Sequence, residues 1–128
     1  MKIAIFENEY ESVKGAFEVA NLLEFGGQLD IQAFVSSQNA RFQEIGMFDV
    51  IFIDIDLSSK SKLDGFGVIE EICEIDVNLI NRIIILTGNN KIEEILSERN
   101  IPKDQLQIII KPTDYEEISN SIKKIRKT

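Results

Sequence analysis

The sequence predicts an α/β domain built on a parallel sheet with helices on both faces. Three observations carry this reading. Five short apolar blocks recur along the 128 residues: "KIAIF" (2–6), "LDIQAFV" (29–35), "DVIFID" (49–54), "RIIILT" (82–87) and "LQIII" (106–110). Between them lie stretches whose apolar residues recur every three or four positions, the spacing of a helix with one buried side. The first, third, fourth and fifth blocks are nearly continuous Ile, Val and Phe, as expected of strands covered on both faces. Strand and helix alternate throughout, which implies parallel strands joined by crossover helices.

Each helix has its stripe. Val13, Ala16, Phe17, Ala20 and Leu23 make the first, and Phe42 with Ile45 a shorter second. Phe66, Ile69, Ile72 and Cys73 make the third, Ile92, Ile95 and Leu96 the fourth, and Ile118, Ile122 and Ile125 the fifth. Cys73 therefore reads as a core residue. Asn8 with Glu11, Asn90 with Glu93, and Thr113 with Glu116 have the spacing of capping pairs that open a helix. Asp64 before Gly65 is a candidate cap for the third helix. "FGGQ" (25–28) supplies glycine where the first helix must end in a left-handed residue. No linker, repeat or low-complexity segment interrupts the pattern, so residues 1–128 read as one domain.

Composition narrows the function. The net charge of −8, from 22 acidic against 14 basic residues, repels phosphate backbones and argues against direct nucleic-acid binding. The basic tail "KKIRKT" reads as cations complementing the carboxyl end of the last helix. No apolar run approaches the roughly 18 residues of a membrane span, and "MKIAIFENEY" turns acidic too soon for a secretory signal. One cysteine excludes an internal disulfide and suits a reducing compartment, so a cytoplasmic protein without membrane contact is expected. With no histidine and one cysteine, zinc sites and Ser-His or Cys-His catalysis lack their components.

In open α/β sheets the working crevice lies outside the carboxyl ends of the strands. The residues expected there are Glu7-Asn8-Glu9, Asp54-Ile55-Asp56, Thr87-Gly88-Asn89 and Lys111-Pro112. Carboxylates at the end of a core strand need compensation, and this inventory suits phosphoryl chemistry. Oxygen ligands can hold Mg²⁺, and an aspartate can be the nucleophile that forms an acyl phosphate. A hydroxyl and a lysine can then stabilise the remaining phosphoryl oxygens.

These residues resemble the receiver domain of two-component response regulators. "IAIFENE" is similar to the family's opening strand and acids, and "DVIFIDIDL" puts Asp54 on the phosphoacceptor aspartate. "DGFGVIEEI" matches the third helix, "IIILTG" puts Thr87 on the phosphate-bonding hydroxyl, and "IIIKPTDYEEI" puts Lys111 on the lysine before proline. The resemblance runs through essentially the whole chain in order. It implies a flavodoxin-like, three-layer (βα)5 doubly wound sheet of strand order 2-1-3-4-5. It also implies a regulatory phosphoacceptor rather than an enzyme with turnover. A sensor histidine kinase, a histidine phosphotransfer protein or a small phosphodonor would load Asp54 with Mg²⁺ bound. The metal set would be Glu7, Asn8, Asp54 and Asp56, with Thr87, Gly88 and Lys111 receiving the phosphate. The loaded domain would then switch an output partner, or form a homodimer, through the fourth helix, fifth strand and fifth helix, the face that holds Ile108, Lys111 and Pro112.

The chain departs from the family pattern in three places. Asn8 replaces an acid that ligates the metal, so it offers an oxygen without charge, or acts only as a helix cap. The loop "DLSSKSKLDG" is longer than usual, lacks a common proline and reads as a solvated surface loop. Ile108 stands where an aromatic usually swings inward on activation, so that rotamer switch cannot operate. These departures favour a phosphorylation-independent docking module as the alternative. "IFIDIDLSS" also looks like the first motif of haloacid-dehalogenase-type phosphatases, with Asp54 as nucleophile and Asp56 as general acid. Against that reading, the motif stands far from the start of the chain and no metal-binding acid pair follows Lys111. "GFG" (65–67) has the wrong spacing for a dinucleotide-binding loop and reads as a helix opening.

Overall fold

Burial on both faces dictates the strands. A computed structural model describes residues 1–126, so the last two residues of the basic tail, Lys127 and Thr128, lie outside the described residues. The strands are β1 (Lys2–Phe6), β2 (Asp30–Phe34), β3 (Val50–Asp54), β4 (Ile83–Thr87) and β5 (Gln107–Ile110). The helices are α1 (Tyr10–Glu24), α2 (Gly65–Ile75), α3 (Ile92–Glu98) and α4 (Tyr115–Arg126). All strand pairs are parallel and the order is β2-β1-β3-β4-β5, as the resemblance implied.

Alternate residues of each strand feed two cores. Ala4, Phe6, Ile51, Ile53, Ile83 and Ile85 pack with Phe66, Ile69 and Ile72 of α2 and with Ile92 and Leu96 of α3. Ile3, Ile5, Val50, Phe52, Ile84 and Leu86 pack on the other face with Val13 and Phe17 of α1 and Ile118 and Ile122 of α4. The rings of Phe17 and Phe52 meet edge to face at 4.8 Å, and those of Phe6 and Phe34 stack at 5.0 Å. Such aromatic pairs add about 0.5–1.5 kcal/mol each beyond the area they bury. Cys73 is half-buried at the edge of the first core, and burial raises its thiol above the ordinary range.

Several local expectations are corrected. The expected second helix is a run of 3₁₀ turn (Phe42–Met47), although Ile45 is buried as its stripe required. The apolar anchors between β2 and β3, Ala40, Phe42, Ile45 and Phe48, do not recur at the spacing of a continuous α-helical stripe. Leu23 is 60% exposed, because Phe25, just past the end of α1, fills the core position instead. The pairs at Asn8, Asn90 and Thr113 cap nothing. Glu9 and Lys91 stand at the N-caps of α1 and α3 without side-chain bonds. Asp114 replaces Thr113, accepting the Glu117 N–H at 2.9 Å.

Other expectations hold. Asp64 caps α2 through the Gly67 N–H at 2.8 Å. Gly26 and Gly27 have φ of 58° and 75° and end α1 as "FGGQ" suggested. The Gly27 N–H returns to the Asn21 carbonyl at 2.9 Å.

Gly65 opens α2 against the end of β3. A Cβ there would fall well inside van der Waals contact with the Asp54 carbonyl and the Ile55 Cα, both backbone atoms that cannot move aside. Gly65→Ala should therefore destabilise the domain by about 2–3 kcal/mol in denaturant titration. Gly88→Ala, whose Cβ would meet nothing within 4 Å, should change stability little by comparison.

Candidate functional site

Register builds the site. Phe6 pairs with Ile53, so the next residues, Glu7 and Asp54, stand side by side. Asp54 pairs with Leu86 and Thr87 with Ile110, which brings Thr87 and Lys111 to the same rim. The Lys111 N–H donates to the Thr87 carbonyl at 2.7 Å, tying the tips of β4 and β5 together. The peptide bond between Lys111 and Pro112 is cis.

The charges converge. Lys111 Nζ lies 3.0 Å from Glu7 Oε1 and 3.5 Å from Asp54 Oδ2. Glu7 is fully buried, Asp54 is 2% exposed and Thr87 is fully buried. Two carboxylates out of water next to each other are strongly unfavourable unless compensated. Burial first, then the neighbouring Asp54 carboxylate, push the Glu7 carboxyl up to about 8 against the pull of Lys111. Burial alone would lower the Lys111 ammonium, but its bond to Glu7 and the charges of Asp54 and Glu7 raise it instead.

The Asp54 carboxylate is held asymmetrically. Oδ1 accepts the Asp56 N–H at 2.9 Å, and Oδ2 faces the ammonium. Thr87 Oγ1 accepts the Asn89 N–H at 3.1 Å and keeps its own proton for another acceptor. Gly88 is exposed beside it.

Asn8 is half-buried at the rim, and Asp56 reaches Asp54 through its backbone while its side chain is exposed. Ile108 is half-buried on the edge strand and packs against the α2–α3 core, and Ile110 is 40% exposed. Pro112 is exposed, and a cleft of about 430 Å³ between the start of α1 and the segment after β5 is lined by Glu9, Ser12, Val13, Lys111, Pro112 and Thr113 among others. A wider depression of about 860 Å³, lined by Met1, Asp49, Arg82 and Lys124 among others, lies at the amino ends of the strands and takes no part in this site.

One polar atom at the centre is unsatisfied. Glu7 Oε2 is buried without a hydrogen-bond partner. Together with Asp54 it offers oxygen donors only, the type of donor that suits Mg²⁺. Among the described residues, no three Asp, Glu, His or Cys side chains gather into a metal cluster. Any divalent ion here would therefore rest on the two carboxylates plus neutral oxygens.

Sequence reasoning missed one part of the site. The loop after β3 is exposed at its tip, as expected, yet it is tied to the turn after β2 through Ser37, Gln38 and Ser61. Nothing in the pattern linked residues 24 positions apart in two irregular segments.

Solved structures share this architecture. A response regulator receiver domain protein from Clostridium thermocellum is 23% identical over 98% of this chain and 95% of its own, with a TM-score of 0.69. The receiver domain of NtrX from Brucella abortus is 18% identical, covers 98% of both chains and has a TM-score of 0.73. The BeF3-activated DrrB receiver domain is 19% identical, with 99% and 97% coverage and a TM-score of 0.72. No protein-family model matches the sequence, and no curated protein matches it. The chain thus has the fold of receiver domains. No described helix is long and apolar enough to cross a membrane.

The raised Glu7 carboxyl has a consequence for stability. A folded-state value of about 8 against an ordinary 4.5 means that folding favours the protonated form. That contribution is whole below about 4.5, shrinks as pH rises and is gone above about 8. In metal-free buffer, Glu7→Gln should melt close to wild type at pH 5. At pH 8.5 it should melt higher, by on the order of 5 °C. A difference that does not change with pH would remove burial of Glu7 as the cause.

Proposed function

We propose that this chain is a phosphoacceptor receiver, a switch in two-component signalling that takes a phosphoryl group on Asp54. The observation that carries the reading is the Lys111 ammonium lying 3.0 Å from Glu7 and 3.5 Å from Asp54 at the carboxyl rim of the sheet. A structural ion pair needs one carboxylate; this lysine faces two, one of them turned by a backbone N–H to present its second oxygen.

In the proposed reaction, Asp54 Oδ2 attacks phosphorus in a phosphohistidine of a sensor kinase or phosphotransfer protein. The P–N bond breaks, its electron pair goes to the imidazole nitrogen, and that nitrogen takes a proton from solvent. Lys111 moves from pairing with the free carboxylate to pairing with a phosphoryl oxygen, and the Thr87 hydroxyl donates to another. Glu7, Asn8 and Asp54, with the main-chain carbonyl of Asp56, are the groups that would hold Mg²⁺, which would supply positive charge to the phosphoryl oxygens. The new charge draws Thr87 and the β4–α3 loop inward. The α3–β5–α4 face, with Ile108 half-buried and Ile110 exposed, then changes its output partner or its pairing with a second copy. The lone cysteine and acidic surface suit such a role in the cytoplasm.

Beryllofluoride with Mg²⁺ should shift the amide resonances around Asp54, Thr87 and Lys111, and Asp54→Asn should abolish both those shifts and labelling by phosphoramidate. A wild-type spectrum that ignores beryllofluoride, or an Asp54→Asn protein that still takes label, would refute the assignment. Asn8→Asp restores a ligand charge and should tighten Mg²⁺ binding roughly tenfold in a metal titration. An unchanged affinity would take residue 8 out of the metal set.

A further inference from the structure

The loop that follows the acceptor strand is fixed at two places. At its neck the Gly65 N–H donates to the Ile55 carbonyl at 3.2 Å, and the missing Cβ of Gly65 lets the two backbones touch. At its far side lies a compact polar strap. The Ser37 N–H donates to Ser61 Oγ at 2.8 Å, and the Leu63 N–H donates to Ser37 Oγ at 2.9 Å. The Ser61 hydroxyl donates to the Leu63 carbonyl at 2.6 Å, with its oxygen 3.1 Å from Ser37 Oγ. Gln38 adds a two-sided grip: its Oε1 accepts the Lys62 N–H at 2.9 Å and its Nε2 donates to the Lys60 carbonyl at 2.8 Å. Ser37 is only 2% exposed, so water competes little for its bonds, while those of Gln38 lie at the surface.

Between neck and strap the chain has little freedom. Leu57, one residue past Asp56, is buried in the α2–α3 core at 8% exposure, and the Ser61 N–H closes a turn on the Ser58 carbonyl at 2.9 Å. Asp56 is the residue whose N–H holds Asp54 Oδ1. The strap and the N–H that holds one oxygen of the acceptor carboxylate thus belong to the same short loop, with Leu57 buried between them.

We propose that Ser37, Gln38 and Ser61 are positioning residues for the phosphoacceptor: by clamping the loop they keep the Asp56 N–H on Asp54 Oδ1, so that Oδ2 alone is presented to the phosphodonor. This rests on the receiver reading above. The strap acts through the backbone and touches neither donor nor phosphoryl group. A carboxylate free to rotate would spend part of its time with neither oxygen aligned, and alignment is where positioned groups gain most of their rate. The transfer step is the one already described: Oδ2 bonds to phosphorus as the donor's bond to phosphorus breaks with its electron pair. The strap changes its rate and not its products.

Ser61→Ala and Ser37→Ala test this in the whole chain, with Ser61→Thr as the variant that keeps the hydroxyl. Hydrogen exchange of the Asp56 amide in metal-free protein is read by NMR, beside labelling of Asp54 by phosphoramidate with Mg²⁺ and a thermal melt. The expected result is Asp56 exchange at least tenfold faster and labelling several-fold slower in both alanine variants. The β3 amides of Ile51 to Ile53 should stay protected, and Ser61→Thr should return both rates toward wild type. Wild-type exchange at Asp56 in the alanine variants would overturn the proposal, because the local turn at Asp54 would then hold itself. Faster exchange throughout β3 would overturn it too, leaving the strap a purely structural support. If wild-type protein takes no label at all, the receiver reading falls, and the exchange measurement alone decides whether the strap positions Asp56.

Discussion

Two carboxylates end up out of water at the tips of neighbouring strands, and one ammonium makes that tolerable. Glu7 and Asp54 are almost completely buried, and Lys111, from the far edge of the sheet, reaches across to both. Removing the ammonium would leave buried carboxylate charge uncompensated, which costs roughly 3–5 kcal/mol. Much of the architecture serves this meeting. Parallel strands put all their carboxyl ends on one side, and the register of β1 on β3 and of β4 on β5 decides which residues arrive together. Even so the compensation is incomplete: one oxygen of Glu7 has no partner, and its carboxyl retains a proton far above the usual range. The site is thus short of positive charge and long on oxygen donors.

Beneath the rim the sheet is apolar on both faces. Every residue of β4 is buried, as is every residue of β3 down to Asp54 itself. Helices α1 and α4 cover one side and α2 and α3 the other. A core of this kind is close-packed and does not deform gradually. The sheet is therefore a rigid platform for the loops that leave its carboxyl ends.

The sequence made the architecture legible because burial on two faces leaves a strong mark. "VIFI" and "IIIL" are uninterrupted apolar runs, and strands so marked in a repeating α/β pattern have few arrangements open to them. Asp54, Thr87 and Lys111 were legible for the same reason, as the first polar residues after such runs. Short-range polar details were not. Asn8, Asn90 and Thr113 carry cap chemistry at cap spacing, but the helices begin a residue or two later, where backbone geometry leaves those side chains aside. The weak stripe of Phe42 and Ile45 could not distinguish an α-helix from 3₁₀ turns. The bonds of Ser37 and Gln38 to residues 60–63 join two irregular segments, and no periodicity encodes them.

The touching backbones of Ile55 and Gly65 also bear on the loop between them. Because the two ends of the intervening segment already meet, inserting residues between them leaves strand and helix where they were, and the entropy of closing a longer loop grows only logarithmically. Length there can grow at small thermodynamic expense while β3 and α2 keep their places. A glycine at this junction is what lets the loop begin and end at one point.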